Sequence, residues 1–291
     1  MSVEPFSALA CPLDGKPLNP DSTTWRCQDG HSFDVARQGY INLLPVQNKR
    51  SLQPGDSKEM VAARQRFLNA GHYRPVAEAV RDSVIRALAG NSGVVSCLDA
   101  GCGEGYYLRE LAAADNGLAL SLIGLDISKW ATLAAAKQDK RPRWLVGSNA
   151  GLPILPGTLD CILCLFGFPV YNEFARVLKP GGMLIQAEAG PDHLRELREI
   201  IYPALKPEKP AMEHEPEGFS IAGTDTLNFP LTLTHPEAIA DLLAMTPHFY
   251  RAPPEGRERA ASLEMLTVTI QVNLIQRQRI GIPMGDRPIG Y

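Results

Sequence analysis

The sequence predicts an α/β fold: a doubly wound, mostly parallel sheet with an antiparallel closing strand, preceded by a small module rich in turns. Three observations carry this. The apolar run Val94–Ala100 reaches an acid, Asp99, and then a turn with glycines at 101, 103 and 105. A second apolar run, Leu122–Asp126, again ends in an acid. Strand-like and helix-like stretches then alternate to about residue 190, the pattern of a parallel sheet wrapped by helices. A glycine turn between a buried strand and a helix lets a ligand approach the backbone closely. It also places that ligand across the carboxyl ends of the strands.

Ahead of this core, residues 1–47 read as a small irregular β module. Cys11, Asp14, Cys27 and His31 form a Cys-x₂-Asp-x₁₂-Cys-x₃-His array, with Gly15 and Gly30 placed to close two knuckle turns. Such spacing suits a tetrahedral zinc, and a metal would stabilise a segment with little core of its own. Asp14 stands where a second cysteine is usual, and a carboxylate is a harder ligand than a thiolate. The other reading is a metal-free hairpin in which Cys11 and Cys27 are small apolar residues. Residues 48–92 are a connector and helices: Ser57 can cap one helix and Pro75 can open the next. Val76, Ala79, Val80, Ser83, Val84 and Ala87 share one helical face.

In the core, Leu159–Leu165 reads as a further strand. Glu173–Ile185 reads as a helix, a Lys-Pro-Gly-Gly turn and another strand. Residues 203–218 are rich in Pro, Lys and Glu and read as a mobile loop. Phe229–Leu233 suggests a strand, Pro236–Met245 a helix, and Leu263–Gln276 a long closing strand. Residues 279–291 read as an extended or flexible tail.

Composition narrows the functions. The 291 residues are 45% hydrophobic and 21% charged, with no apolar run long enough to span a membrane. The N-terminus lacks the pattern of a signal peptide, so a cytoplasmic protein is expected. Six cysteines, two of them beside the glycine turn and the strand leading to it, suggest reduced thiols. A net charge of −3 makes no global case for nucleic acid. Two local clusters could still meet phosphates. One is Lys49, Arg50, Lys58, Arg64, Arg66 and Arg74; the other is Lys137–Arg143. Solvated surface is the alternative reading of both.

Asp99, Gly101, Gly103 and Gly105 give Asp-x-Gly-x-Gly-x-Gly, which is neither the dinucleotide Gly-x-Gly-x-x-Gly nor a P-loop. The pattern resembles motif I of class I S-adenosylmethionine-dependent methyltransferases. With Asp126, Leu159–Leu165 and the Lys-Pro-Gly-Gly turn, the resemblance covers residues 93–190. His31-Ser32-Phe33-Asp34, Gly39–Pro45 and Gly190–Leu197 extend it to the RlmA family of large-subunit ribosomal RNA guanine-N1 methyltransferases, over about residues 10–205. This resemblance implies a Rossmann-like methyltransferase domain at 93–278 and a zinc-binding, RNA-recognising module at 1–47. It also implies S-adenosylmethionine as cofactor, a 23S rRNA hairpin as substrate, and a homodimer. Tyr73, Gly103, Glu104 and His193 correspond to cofactor-contacting positions of the family. General methyltransferase architecture adds Asp99 and the turn glycines 101 and 105, Asp126 for the ribose, and Ser148 and Asn149 for the adenine. A side chain at Gly103 is expected to fill the space of the methionine part.

Guanine N1 carries a proton at neutral pH, so the transfer needs a group to receive it. Glu188, Asp192 and His193 follow the last parallel strand and are the candidates. Phe166, Phe168 and Tyr171 could stack on the extruded base. Cys161 and Cys164 lie within a strand and read as core thiols, not nucleophiles. Two other readings stay open: a small-molecule methyltransferase, and a non-catalytic cofactor-binding ribosome-assembly protein.

Overall fold

A computed structural model of the protein describes residues 3–48, 51, 53–114, 117–205 and 215–281. The first strands, β1 (Asn19–Asp21), β2 (Thr24–Arg26) and β3 (Ser32–Asp34), form a small antiparallel sheet. β4 (Tyr40–Asn42) does not join it. It pairs in parallel with β7 (Arg143–Val146) at the edge of the main sheet, Ile41 opposite Leu145. The module is thus built into the core as its first strand, although its sequence reads as a separate unit.

Between them run α1 (Lys58–Asn69), capped by the Ser57 hydroxyl accepting from the Met60 N–H, and α2 (Arg74–Leu88), with Pro75 in its first turn. Val76, Val80, Ser83 and Val84 are buried on α2 as the spacing predicts. The core continues through β5 (Val94–Ala100), α3 (Tyr106–Ala113), β6 (Ala119–Asp126), α4 (Lys129–Gln138), β7, β8 (Leu159–Leu165), α5 (Tyr171–Val177) and β9 (Leu178–Ala189). After α6 (Arg195–Ile201) come β10 (Phe219–Leu233), α7 (Pro236–Ala244), α8 (His248–Arg251), α9 (Pro254–Ala261) and β11 (Leu266–Arg279).

The eight-stranded sheet has the order β10-β11-β9-β8-β5-β6-β7-β4. From β4 to β9 every neighbouring pair is parallel, and β11 inserts antiparallel between β9 and β10. The chain reverses its order at β5, so the ends of β5, β6 and β8 border the switch-point crevice where such sheets bind ligands. Lys179–Gly182 bulges out of the start of β9, between the Leu159–Leu178 and Cys161–Met183 pairs. β10 runs fifteen residues, not the five expected, because its upstream half pairs with the equally long β11. Arg279, expected in the tail, closes β11, where its guanidinium donates to the Leu178 carbonyl. Residues 282–291 and most of the expected 203–218 loop lie outside the described residues.

Two apolar clusters cover the faces of the sheet. One joins α2, α3, α4 and α6 to Cys97, Leu122, Leu163 and Ile185. The other joins Phe6, Leu9, Leu18 and Trp25 of the N-terminal module to Leu98, Ile123, Ile162 and Leu184. Cys161 and Cys164 are buried, and burial pushes the Cys164 thiol up to about 12, as expected of a core thiol.

Candidate functional site: a cofactor cleft and a metal knuckle

The glycine turn between β5 and α3 is held by the neighbouring strand. Gly101 and Cys102 both donate to the Leu125 carbonyl, at 2.8 and 3.0 Å, and the Gly103 N–H donates to Asp126 Oδ2 at 2.9 Å. All three glycines have positive φ, but they serve different ends. A Cβ on Gly105 would lie 2.5 Å from the Trp144 ring, so this glycine makes room for core packing. A Cβ on Gly103 would meet the Arg64 side chain at 3.5 Å. A Cβ on Gly101, at φ +100°, meets nothing within 4 Å. The turn therefore has its freest space at Gly101, while Gly103 is in ordinary contact with the flexible Arg64 side chain.

Two residues before Gly101, near the end of β5, is Asp99, 1% exposed, with neither carboxylate oxygen hydrogen-bonded. Burial, and secondarily the charge of Asp126, raises its pKa to about 8. A buried carboxyl without partners is costly. It fits a cationic ligand group that supplies the missing donors. Asp126, at the end of β6, is held by the Gly103 and Ser128 N–H groups, with burial raising its pKa. Asn149 is tied by its amide nitrogen to the Ala100 carbonyl at 3.3 Å, leaving its own buried oxygen without a partner. Ser148 accepts from the Ala150 N–H in the same turn. These groups sit at the carboxyl ends of β5, β6 and β7, where such sheets bind ligands, and the unpartnered oxygens of Asp99 and Asn149 fit a nucleoside with a cationic tail.

An aromatic wall closes the other end. Tyr73, at the entry to α2, places its hydroxyl 3.3 Å from His193 Nε2. The Phe166 ring lies 6.3 Å from Tyr73 and 5.9 Å from His193. Phe166 itself has φ +54°, an uncommon conformation for an aromatic residue that turns the chain at the end of β8. Burial holds His193 neutral, with a pKa of about 4, and raises that of Tyr73.

Glu104, within the turn, has Oε2 held by Arg109 and Gln138 at 2.8 and 2.5 Å, while its Oε1 is buried without a partner. Asp192 pairs with Arg195 at 2.8 Å on the surface of α6. Glu188 is exposed at the end of β9, beside the Gln186 amide at 3.5 Å. Sequence reading missed Arg277, 5% exposed, whose Nε donates to Gln186 Oε1 at 2.9 Å and so anchors that amide. An arginine in an alternating strand gives no signal of this.

Several residues of both basic clusters are engaged with the rest of the protein. Arg64 pairs with Asp56 and donates to the Met245 carbonyl, and Arg66 forks onto Asp241 of α7. Arg141 forks onto Asp139, Lys140 donates to the Gln38 carbonyl, and Arg143 stacks 5.1 Å over Trp25. These residues dock α1 and the N-terminal module onto the core. Lys49 and Arg50 lie outside the described residues.

In the module, the ligand atoms of Cys11, Asp14, Cys27 and His31 all fall within 4.8 Å of one another. Cys11 Sγ and Cys27 Sγ lie 3.5 and 3.4 Å from His31 Nδ1. Asp14 Oδ2 lies 3.2 Å from Cys27 Sγ and 3.0 Å from His31 Nδ1. Edges of about 3.3–3.8 Å follow for tetrahedral zinc with bonds of about 2.0–2.3 Å, so the set fits that ion once its shortest pairs lengthen and its longest shortens by a few tenths of an ångström to about 1 Å. Gly15 and Gly30, at φ +73° and +85°, donate back to the Cys11 and Cys27 carbonyls and close the knuckles.

Comparison with known proteins agrees with both sites. The sequence family described as RlmA, N-terminal, a zinc ribbon, matches residues 9–52, and a methyltransferase domain family matches residues 97–182. A Streptomyces fradiae protein, 23S rRNA (guanine(748)-N(1))-methyltransferase, is 34% identical over 88% of this chain and 90% of its own length. A Micromonospora griseorubida protein bearing the name 23S rRNA (guanine-N(1)-)-methyltransferase is 34% identical over 94% of this chain and 97% of its own. A Bacillus subtilis protein bearing the same name is 31% identical over 93% and 96%.

Proposed function

The chain belongs to the family of 23S rRNA (guanine-N1)-methyltransferases, and from that premise we propose that it methylates N1 of a guanine in a hairpin of large-subunit ribosomal RNA. The observation that carries the reading is the buried, partnerless Asp99 beside the glycine turn, with Asp126 and the partnerless Asn149 oxygen at the neighbouring strand ends. Bound there, S-adenosylmethionine supplies an already activated methyl group. Asp99 holds the cationic part, Asp126 the ribose, and Ser148 and Asn149 the adenine. Tyr73, His193 and Phe166 form the wall that excludes water beside the reacting centre. In the module, Cys11, Asp14, Cys27 and His31 hold a structural zinc.

The reaction breaks the sulfur–methyl bond, forms the N1–methyl bond and releases the N1 proton. Glu188 is the group we assign to receive it. Asp192 is committed to Arg195, and His193 is buried with its Nε2 against the Tyr73 hydroxyl. Glu188 is exposed at the strand end, steadied by Gln186, and no ion pair of its side chain is found among the described residues. Glu188→Gln should cut kcat at least a hundred-fold, within the usual worth of a general base, with cofactor affinity unchanged. Mass spectrometry of digested 23S rRNA after reaction should find 1-methylguanosine; its absence overturns the proposal.

RNA binding and a cytoplasmic place belong to the same reading, and no helix among the described residues is long and apolar enough to cross a membrane. A homodimer is proposed with it, supported by the unpaired outer edge of β10, with Ile221 half exposed on it. Sedimentation of the purified chain as a monomer would remove that part alone.

A further inference from the structure

A cavity of about 550 Å³ lies where the N-terminal module meets the methyltransferase core. This is within the range of about 300–1,000 Å³ typical of small-ligand sites. Gln38, Tyr40, Asn42 and Leu44 line it from the module, Gln53 and Pro54 from the connector, and Ile127, Lys129, Trp130, Leu133 and Val146 from the core. Ile127, which follows Asp126, and Val146, which pairs with that residue, bring the cavity next to the cofactor groups.

Its chemistry is that of a nucleobase site. Trp130 is half-buried, whereas the other two tryptophans, Trp25 and Trp144, are buried in the two cores. Its indole N–H donates to Gln53 Oε1 at 3.3 Å, which fixes the ring. Lys58 sits 5.9 Å from the ring centroid, and Lys129 lines the mouth. Neither lysine makes an ion pair among the described residues, in contrast to the engaged arginines of both clusters. Asn42 Oδ1 accepts from the Leu44 N–H, which leaves its NH₂ as a donor; Gln53, holding the indole, is left in the same way. No carboxylate lines the cavity. A fixed aromatic face, amide donors and two uncommitted ammonium groups match a base with its phosphate.

We infer that this cavity takes an unpaired nucleobase of the RNA substrate, stacked on Trp130 with its backbone phosphate at Lys58 and Lys129. The inference rests on the proposed rRNA activity. It assigns the seam between module and core a direct part in gripping the RNA.

The experiment titrates native, Trp130→Phe, Trp130→Ala and Lys129→Glu proteins with unmodified 23S rRNA transcript, and separately with S-adenosylmethionine. RNA should quench the native tryptophan fluorescence, and Trp130→Phe should abolish most of that change while keeping RNA affinity within about three-fold. Trp130→Ala should weaken RNA binding about ten-fold or more, equivalent to about 1.4 kcal/mol. Lys129→Glu should weaken it too and flatten its salt dependence. Cofactor affinity should stay within two-fold throughout. Unchanged RNA affinity in Trp130→Ala overturns the inference. A parallel loss of cofactor affinity also overturns it, because the cavity would then serve the cofactor's adenine. Native protein that binds the transcript but makes no 1-methylguanosine overturns the proposed activity instead, and native protein that does not bind it overturns both.

Discussion

With Asp99 in the proposed role of holding the cofactor's cationic part, cofactor binding becomes a proton-linked event. In the free protein its carboxyl is buried, unpartnered and raised to about 8, so near neutral pH it holds a proton. A cationic ligand binds the ionised form, so affinity follows the fraction ionised. That fraction is about one in a hundred at pH 6 and one in eleven at pH 7, from the pKa of about 8. The dissociation constant should therefore fall close to ten-fold between pH 6 and 7, and by less thereafter. Near pH 8 the gain ends, because the cofactor's own amino group, of pKa about 8, begins to lose its charge. Stability of the free protein should run the other way. The folded pKa lies above the unfolded value, so the folded state holds the extra proton between about pH 4 and 8 and loses stability as pH rises through that window. Calorimetry at pH 7 in two buffers of different ionisation enthalpy should report close to one proton released per cofactor bound. Asp99→Asn should bind weakly with a flat pH profile from 6 to 7 and melt higher than the native protein at pH 8. A native affinity independent of pH from 6 to 8, with no proton exchange, would refute the assignment.

The turn glycines should separate by function. Gly101→Val, at a strain of roughly 1–2 kcal/mol, should abolish cofactor binding in calorimetry while the chain stays folded. Gly105→Ala drives a methyl into Trp144 and should lower the melting temperature first. Elemental analysis should find one zinc per chain, and Asp14→Cys should slow its loss to a chelator, because thiolate is the softer ligand. Arg66→Ala should lower the melting temperature by uncoupling α1 from α7, yet leave the salt dependence of RNA binding as it was.

The parts legible in the sequence were those with local causes. Asp99, the glycine turn and Asp126 are adjacent to the strands that position them, and the cysteine-bearing knuckles are closed by their own glycines. Ser57 and Pro75 announce α1 and α2 because capping and fixed φ act within one turn. What stayed hidden depends on partners far along the chain. Arg64 and Arg66 look like a phosphate-binding pair until α7 brings Asp241 and the Met245 carbonyl to them. The sequence says nothing of Trp130, whose ring is fixed by Gln53 from the connector. The freest space at the turn could not be assigned either, since it depends on which of Arg64, Trp144 or solvent faces each glycine.

The same long-range pairing bears on how the N-terminal residues work. A zinc ribbon tethered by a flexible linker would search for RNA independently of the catalytic core. Here Leu9 and Trp25 are buried in the same cluster as β5 and β8 side chains, and β4 is a strand of the catalytic sheet. Arg143 and Lys140 clamp the seam from the core side. Removing residues 1–47 would strip one sheet face and leave the β7 edge unpaired, so a chain beginning near Ser57 should aggregate instead of retaining cofactor binding. Under the proposed activity, the module, the Trp130 cavity and the cofactor site would face the RNA in a fixed register. The distance from a base held at Trp130 to the methylated guanine would then be a structural constant, enough to select a single guanine in a hairpin without reading a long sequence.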